Sequence, residues 1–422
     1  MTGTGPGSGA SRRPKATASA SPAPHVWLFK ARFRKGSFGW RSQPAIQRVR
    51  EAVKEIKAVS HKDPVWAADG AVVFLERVSA ALEKVDSSSG AIGTVVNHAI
   101  QDLVPIIAAA PASARTREAW LDRLLEAHAS QGVPYIDTLA DAWGDLCGSP
   151  EVASKWADEL LPITRMVLRP DRSPGEYFHG TPACLSALFR AGRYQEILDV
   201  VQHETFWHYR CWGARALAGL GDPQGAVAYA EACRGHYASD VSIDKLCEQV
   251  LLESGDVAEA YRRYGMRPNR AGTYLATFRA ASRVYPDVPP DVLLRDLVAA
   301  SPGNEGKWFA TAKEMGLYAE AIALASSSPC DPRTLTRAAR DLAASEPSFA
   351  LEAGLLALHW VAMGHGYEVT GSDVYAARSA AIQAGEQLGL EPAQIWDRIR
   401  QAVEPGGHYN LVAQVLGREL ES

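Results

Sequence analysis

Leu188-Phe189-x-x-Gly192, Leu217-x-x-x-Gly221, Leu251-Leu252-x-x-Gly255 and Ala312-x-x-x-Gly316 repeat one short pattern between residues 183 and 325. The steps between these glycines are 29, 34 and 61 residues, and the last is close to two units of about thirty. Five residues after each glycine stands a small or apolar side chain: Ile197, Ala226, Ala260 or Ala321. A period of this length is typical of stacked helical hairpins, with glycine at the tight turn where φ must be positive. The pattern therefore predicts an all-α fold built as an α-solenoid of antiparallel helical hairpins.

Size and composition agree with a folded helical chain. The chain has 422 residues, of which 47% are hydrophobic and 22% charged, which are ordinary globular values. Alanine is abundant and β-branched runs are rare, which favours helix over strand. No stretch of eighteen or more purely apolar residues occurs, so we expect no membrane-spanning segment. Six scattered cysteines without a C-x-x-C pair indicate free thiols in a reducing cytoplasm.

Changes in composition along the chain predict four regions. Residues 1–25 form a basic tail rich in Gly, Ser, Ala and Pro, which we expect to be disordered. Residues 26–170 should form an N-terminal helical region, in which Asp63-Pro64 is a helix start and Pro134–Leu146 a single helix. The proline- and glycine-rich stretch 169–182 marks the start of the repeats, assigned to 171–330. Residues 331–422 should form a C-terminal helical region.

The sharpest chemical signal is a basic, aromatic segment near the N-terminus. Residues 1–50 contain ten Lys and Arg and no Asp or Glu, so the remainder carries a net charge of −14. Within this segment the candidate nucleic-acid-binding residues are Lys30, Arg32, Arg34, Lys35, Trp40 and Arg41. Such cations pair with phosphates, and aromatic rings stack on bases. The alternative is that the aromatic rings anchor the first helix while the cations stay solvated or meet the acidic remainder of the chain.

A second aromatic cluster lies inside the repeats. It runs from Phe206 to Trp212, and its candidate partner-binding residues are Trp207, Tyr209 and Trp212. These rings either pack between repeats or line a groove for a peptide. His203 and His208 are five residues apart, a spacing that places them on different sides of a helix, so they do not predict a metal site.

Two further groups of polar residues were considered for chemistry. Asp137, Asp141 and Asp145 recur every four residues, and the interpretation we favour is a solvated acidic helix face without a metal. His359, His365, Glu368 and Asp373 in the segment 359–373 could contribute to an enzyme site of unknown type. No G-x-S-x-G, H-E-x-x-H, dinucleotide or kinase motif is present, and we expect neither a cofactor nor catalytic residues.

The repeats resemble divergent tetratricopeptide-type helical repeats, for example at Gly255-Asp-Val-Ala-Glu-Ala260-Tyr261. In addition, Leu82 to Gly93 is similar to a segment of uncharacterised bacterial helical-repeat proteins. Some of those carry a zinc finger that needs C-x-C followed by C-x-H, and this sequence has neither motif. The resemblance implies a bacterial scaffold without catalytic residues.

Three functions follow as hypotheses. The first is a non-catalytic, cytoplasmic scaffold or adaptor that binds a protein or peptide on its concave face. The second is a nucleic-acid-associated protein that uses the basic aromatic arm 30–41. The third is an enzyme with its site in 359–373.

Overall fold

The computed structural model describes residue 3 and residues 25–130, 132–173, 175–235, 238–407 and 410–421. Within these residues the chain is helical throughout and contains no strand, so the all-α prediction is confirmed. The predicted disordered tail, apart from residues 3 and 25, lies outside the described residues. The chain divides into two compact units, residues 1–229 and 230–422. This division falls inside the predicted repeat region.

Unit 1 is built from ten complete helices among the described residues. They are α1 (Leu28–Arg32), α2 (Ser42–Ser60), α3 (Pro64–Leu82), α4 (Ala91–Ala109), α5 (Ala114–Ser130), α6 (Trp143–Cys147), α7 (Pro150–Val167), α8 (Thr181–Arg190), α9 (Tyr194–Val201) and α10 (Trp207–Gly219). A short 3-10 helix, Asp137–Ala142, precedes α6. The next helix, α11 (Pro223–Glu231), spans the division between the units.

Unit 2 contains the remaining eleven helices that the described residues form. They are α12 (Asp240–Glu253), α13 (Val257–Tyr264), α14 (Tyr274–Val284), α15 (Pro290–Ala299), α16 (Phe309–Glu314), α17 (Tyr318–Ser327), α18 (Pro332–Leu342), α19 (Pro347–Ala362), α20 (Gly371–Gln387), α21 (Pro392–Val403) and α22 (Leu411–Glu421). Helix α19 lies at the centre of this unit and packs against α17, α18, α20, α21 and α22. It approaches α20 closely at Gly354, where a Cβ atom would lie 3.0 Å from Ala381.

The four repeat glycines all lie at corners between helices. Gly192, Gly221, Gly255 and Gly316 have φ between 74° and 86°, and each is followed two residues later by the first residue of a helix. At each corner the glycine N–H donates to the carbonyl three residues back, and the next N–H donates to the carbonyl five residues back. This pair of bonds is the Schellman arrangement, which satisfies the last carbonyls of the preceding helix. The corners read from the sequence are confirmed.

The small residues after the corners explain why the pattern recurs. Ile197, Ala226, Ala260 and Ala321 are completely buried. Each lies in the first turn of the second helix of its pair, where the three alanines let two helices approach closely and the larger Ile197 contributes to the apolar core. The pairs α8–α9, α12–α13 and α16–α17 are packed against each other. Neighbouring helices in sequence therefore form hairpins.

Two local predictions for unit 1 have different outcomes: the helix cap at Asp63 is confirmed, and the single helix from Pro134 to Leu146 is not. Asp63 caps α3 by accepting a hydrogen bond from the Trp66 N–H at 3.0 Å, as predicted. The single helix predicted for Pro134–Leu146 is wrong, because a 3-10 turn precedes the short α6. Ser186 explains the break: its hydroxyl donates to the Asp141 carbonyl at 2.8 Å and accepts from the Gly144 N–H at 3.0 Å. These bonds use backbone groups that a continuous helix would pair internally.

One helix among the described residues, α4, is long and apolar enough by composition to cross a membrane, with a mean hydropathy of 1.3. In the fold it packs against α2 and α3, and Ile92, Val96 and Leu103 on its inner side are fully buried. Core helices pass the same length and composition test. We therefore draw no membrane assignment from α4.

Candidate functional site

Unit 2 contains a concave groove of roughly 1100 Å³. It is formed by Glu231 at the end of α11, Arg234 in the loop that follows, the first two turns of α12, the end of α13, the loop 265–273, the start of α14, the end of α15 and the segment 300–308. Its volume is at the upper end of the range for small-molecule sites, so an extended segment of polypeptide fits it as well as a compact ligand does. We call it the arginine groove, after four lining arginines: Arg234, Arg263, Arg267 and Arg270.

One end of the arginine groove is a network of ion pairs centred on Glu231 and Asp244. Arg234 contacts both carboxylates. Glu231 also accepts a hydrogen bond from the Tyr264 hydroxyl at 2.5 Å and lies 3.6 Å from Arg263. These donors, Arg234 foremost, lower the pKa of Glu231 to about 2. The carboxylate therefore stays ionised, and it holds the arginines in place.

Asp244 also holds arginines in place, and it is more deeply buried than Glu231. It is only 4% exposed and pairs with Arg234 and, at 3.1 Å, with Arg267. Asp240, the third lining carboxylate, lies 3.4 Å from Arg234 and 3.7 Å from Arg267. A buried carboxylate is costly unless it is paired and hydrogen-bonded, and here two guanidinium groups share that task. This end of the groove is therefore close to charge balance.

The other end of the groove is aromatic and apolar. Trp308 meets the Tyr274 ring edge-on, with centroids 4.8 Å apart, and its indole N–H donates to the Ser301 hydroxyl at 2.8 Å. Met266 and Leu297 complete the apolar lining. The geometry of this wall is set by hydrogen bonds, so it is formed before any ligand arrives.

The loop that carries Arg267 and Arg270 is pinned on both sides. Asn269 donates to the Gly265 carbonyl at 3.0 Å and to the Glu248 carboxylate at 2.8 Å. Glu248 also accepts from the Tyr285 hydroxyl at 2.6 Å, and burial raises the pKa of this carboxyl group. The Thr277 hydroxyl accepts from the Ala271 N–H at 2.9 Å. The loop is thus irregular in conformation but well supported.

The sequence analysis did not find this groove. Its charged residues come from five separate helices and loops, and their spacing follows no helical period. A signal was nevertheless present, because four arginines occur in the nine residues from Arg262 to Arg270. Such a density of arginine beside two tyrosines is unusual for a solvated helix face.

The predicted aromatic residues of the repeats lie mostly in the core of unit 1. Tyr209 is 6% exposed and Trp212 is 3% exposed, while Trp207 is half-buried at the start of α10. Burial raises the pKa of Tyr209 to about 12. The Arg215 guanidinium covers the Trp212 ring at 4.7 Å. Little of Tyr209 and Trp212 is therefore open to a partner.

The residues of the segment 30–41 differ in burial: Phe33 is buried, whereas the six predicted nucleic-acid-binding residues are exposed. Phe33 is 1% exposed and packs edge-on against Phe74, with centroids 5.1 Å apart. The candidate cations and Trp40 are instead all exposed, and Trp40 is 72% exposed. Among the residues described, Arg32 pairs with Glu51 at 3.0 Å, and the cations Lys30, Arg34, Lys35 and Arg41 have no ion-pair partner. Phe33 therefore anchors the chain, and the other residues form an open basic surface.

The acidic residues of the first unit do not form one helix face. Asp137 and Asp141 lie on the 3-10 turn and Asp145 on α6. Asp137 approaches the His128 ring at 3.8 Å, and Asp141 pairs with His208 at 3.3 Å. Burial raises the pKa of Asp141. Over the described ranges, no group of three His, Cys, Asp or Glu side chains could hold a metal ion.

The segment 359–373 uses its polar groups for structure. The Asp373 carboxylate accepts from the Thr370 N–H at 2.8 Å and from Arg333 at 2.9 Å, which caps α20 and holds the pKa of Asp373 well below its usual range. His359 lies 3.0 Å from the Ala402 carbonyl, and His365 packs edge-on against Trp360. Neither histidine is hydrogen-bonded to a Ser or Cys side chain in the part of the chain that the structure describes.

Comparisons with known proteins add no family to this picture. No family model matches the sequence, and a search of curated proteins found no match. The proposals below therefore stand on the residues and their geometry alone.

Proposed function

We propose that this protein is a non-catalytic adaptor of the α-solenoid type, with divergent tetratricopeptide-like repeats, and that it binds a peptide segment of a partner protein. The binding site in this proposal is the arginine groove. The helical hairpins with glycine corners support the repeat character, because each pair leaves one surface free to specialise. A cytoplasmic, bacterial adaptor agrees with the resemblance noted in the sequence.

The observation that carries the proposal is a groove with a charged end and an aromatic end on a hydrogen-bonded frame. Peptide recognition commonly combines polar groups that fix orientation with apolar walls that provide affinity. Because the loop 265–273 is already pinned, little conformational entropy is lost when a peptide binds. The described lining residues include no His, Cys or Lys, the side chains most often used as bases or nucleophiles. Binding is therefore the chemistry that the groove supports best.

The test fills the groove with a bulky side chain and leaves its charged residues unchanged. Ala300 is exposed and lines the groove, whereas its neighbour Ala299 is equally exposed and does not. Random dodecapeptides displayed on phage are selected on the full-length chain, and enriched peptides are titrated by fluorescence anisotropy. We expect Ala300→Trp to weaken binding at least about tenfold and Ala299→Trp to leave it unchanged.

A second blocking variant keeps this test decisive. Ala271→Trp fills the groove from another exposed lining position, and circular dichroism verifies the fold of each variant. Enrichment of no peptide, or equal affinity for the wild type and both blocked variants, would rule out the groove as a peptide site.

The basic surface of unit 1 supports a second candidate function, binding of a nucleic acid. Its specific support is that Lys30, Arg34, Lys35 and Arg41 are exposed without acidic partners among the described residues, beside an exposed Trp40. Arg77 donates to the Lys30 carbonyl at 3.4 Å, which adds another cation to the same surface. Exposed cations in the same short segment as an exposed aromatic ring suit a single strand, because the cations contact phosphates and the ring stacks on a base.

A further inference from the structure

Two cations are not used by the ion-pair network: one lines the arginine groove, and the other lies beside the ring of a lining tyrosine. Arg270 lines the groove and is exposed, and the Lys307 ammonium lies 5.9 Å from the centre of the Tyr274 ring. Neither side chain forms an ion pair with any residue that the structure describes. Arg270 is therefore open to an anion inside the groove, and Lys307 is open to an anion beside Tyr274.

The acidic residues around the groove are already engaged. Glu231, Asp240 and Asp244 each contact at least two of the arginines Arg234, Arg263 and Arg267. Glu305, the nearest acid in sequence to Lys307, accepts a hydrogen bond from the Gly303 N–H at 2.8 Å. The carboxylates Glu231, Asp240 and Asp244 thus serve the other three arginines, and Arg270 and Lys307 are the cations left without an ion-pair partner among the described residues.

We propose that the groove selects acidic peptides, with a ligand carboxylate at Arg270 and Lys307 and an adjacent apolar side chain against Tyr274 and Met266. This inference rests on the proposed peptide-binding function and specifies its ligand. Guanidinium binds carboxylate through two parallel hydrogen bonds, and such charge-assisted bonds are about twice as strong as neutral ones. The carboxylate comes either from an Asp or Glu side chain or from a peptide C-terminus.

The occupant is a partner and not the N-terminal tail of this chain. Residues 1–24 carry Arg12, Arg13 and Lys15 and no acidic residue. A basic segment approaching Arg270 and Lys307 would meet like charge, which disfavours the contact. Charge complementarity therefore favours an acidic segment supplied by another protein.

The test compares peptide selection on the wild type with selection on the double variant Arg270→Gln/Lys307→Gln. The matched control is Arg283→Gln/Lys245→Gln, which removes one arginine and one lysine that are exposed in the same unit; neither lines the groove, and neither lies over the ring of a lining residue as Lys307 does. We expect dodecapeptides enriched on the wild type and on the control to contain more Asp and Glu than the input library. The double variant should show no such excess.

A second measurement identifies the carboxylate and its contact. The tightest selected peptide is synthesised with each Glu replaced by Gln, and separately with its C-terminus amidated. One of these changes should weaken binding to the wild type at least about tenfold and leave binding to the double variant nearly unchanged.

Two outcomes overturn the inference and leave the peptide-binding function intact. One is enrichment of neutral or basic peptides whose binding is still lost in Ala300→Trp. The other is an equal loss for the acid-to-amide change on the wild type and on the double variant. Failure of both Ala300→Trp and Ala271→Trp to reduce binding instead overturns the proposed function itself.

Discussion

At the scale of single residues, buried polar side chains determine how this fold responds to its surroundings. His128 on α5 is 3% exposed, near Asp137 at 3.8 Å and the His179 ring at 6.2 Å. Burial lowers the pKa of His128 despite the attraction of Asp137. The folded chain therefore favours the neutral imidazole.

This preference predicts a pH-dependent stability of unit 1. Because the unfolded chain protonates His128 near pH 6.5 and the folded chain only at lower pH, the contribution is complete above about pH 6.5 and declines as the pH falls below it. Between about pH 7.5 and 6 the loss reaches at most about 0.8 kcal/mol. Urea unfolding at both pH values should show a smaller difference for His128→Gln than for the wild type.

The control for this experiment is His203→Gln, because His203 is exposed and contacts only Gln202 in the described part of the chain. His203→Gln should keep the wild-type pH dependence. If His128→Gln kept it too, the buried histidine would not be its source.

Glu231 gives a second prediction at this scale. Glu231→Gln removes the negative charge that Arg234, Arg263 and Tyr264 share, so two half-buried guanidinium groups and one buried hydroxyl lose an ionised acceptor. We expect the free energy of unfolding to fall by about 1–3 kcal/mol in urea denaturation. Glu253→Gln, an exposed carboxylate bonded only to Gln249 among the residues described, should change it by less than about 0.5 kcal/mol. Equal effects of the two substitutions would mean that the network contributes no stability.

At the scale of elements, the glycine corners decide where helices end. Gly255 has φ of 86°, and a Cβ atom there would meet nothing within 4 Å. The cost of a side chain at this corner is therefore backbone strain and not a steric clash. Gly417 lies inside α22, and a Cβ atom there would also meet nothing within 4 Å. A substitution at Gly417 therefore tests only the preference of the backbone for helix.

Replacing each of these glycines by alanine should change the stability of the chain in opposite directions. Gly255→Ala should destabilise the chain by about 1 kcal/mol, because alanine disfavours positive φ. Gly417→Ala should stabilise it by up to about 1 kcal/mol, because alanine favours the helix. Thermal unfolding of both variants measures the difference, and a shift of the same sign in both would contradict the assigned corner.

Elements also show how far the sequence could predict the structure. Corners such as Gly192 and Gly255 were predictable because a turn and a small residue five positions later are local signals. The break after Pro134 was not, because it depends on Ser186, more than forty residues away in the sequence. The arginine groove was missed for the same reason, since Asp244 and Arg267 meet only after the chain has folded. The open basic surface at Trp40 was predictable as composition, but the burial of Phe33 was not.

At the scale of the whole molecule, charge is distributed unevenly. Residues 1–50 hold ten basic and no acidic side chains, and the rest of the chain has a net charge of −14. The cations of the exposed basic surface at Lys30, Arg34, Lys35 and Arg41 belong to this first segment. Long-range attraction between such a segment and a polyanion depends strongly on salt.

The second candidate function therefore predicts salt-dependent binding of single-stranded nucleic acid. Fluorescein-labelled oligothymidine should bind the full-length chain, with affinity that falls steeply as sodium chloride is raised. Lys35→Gln/Arg41→Gln should reduce the salt slope by about 1.4, and Trp40→Ala should weaken binding with the slope unchanged. Lys54→Gln/Lys62→Gln, two exposed cations outside the segment 30–41, is the control. Affinity that does not depend on salt would exclude this function.

The open corners have a consequence for how the chain can be extended. Gly192, Gly221, Gly255 and Gly316 have no atom within 4 Å of the position a side chain would take. Extra residues placed beside such a bend point away from the packed interior, and lengthening a flexible link costs only about 0.6 kcal/mol for each doubling. A small fluorescent domain inserted after Gly221 should therefore leave the surrounding hairpins intact, which offers a way to report on the protein inside cells.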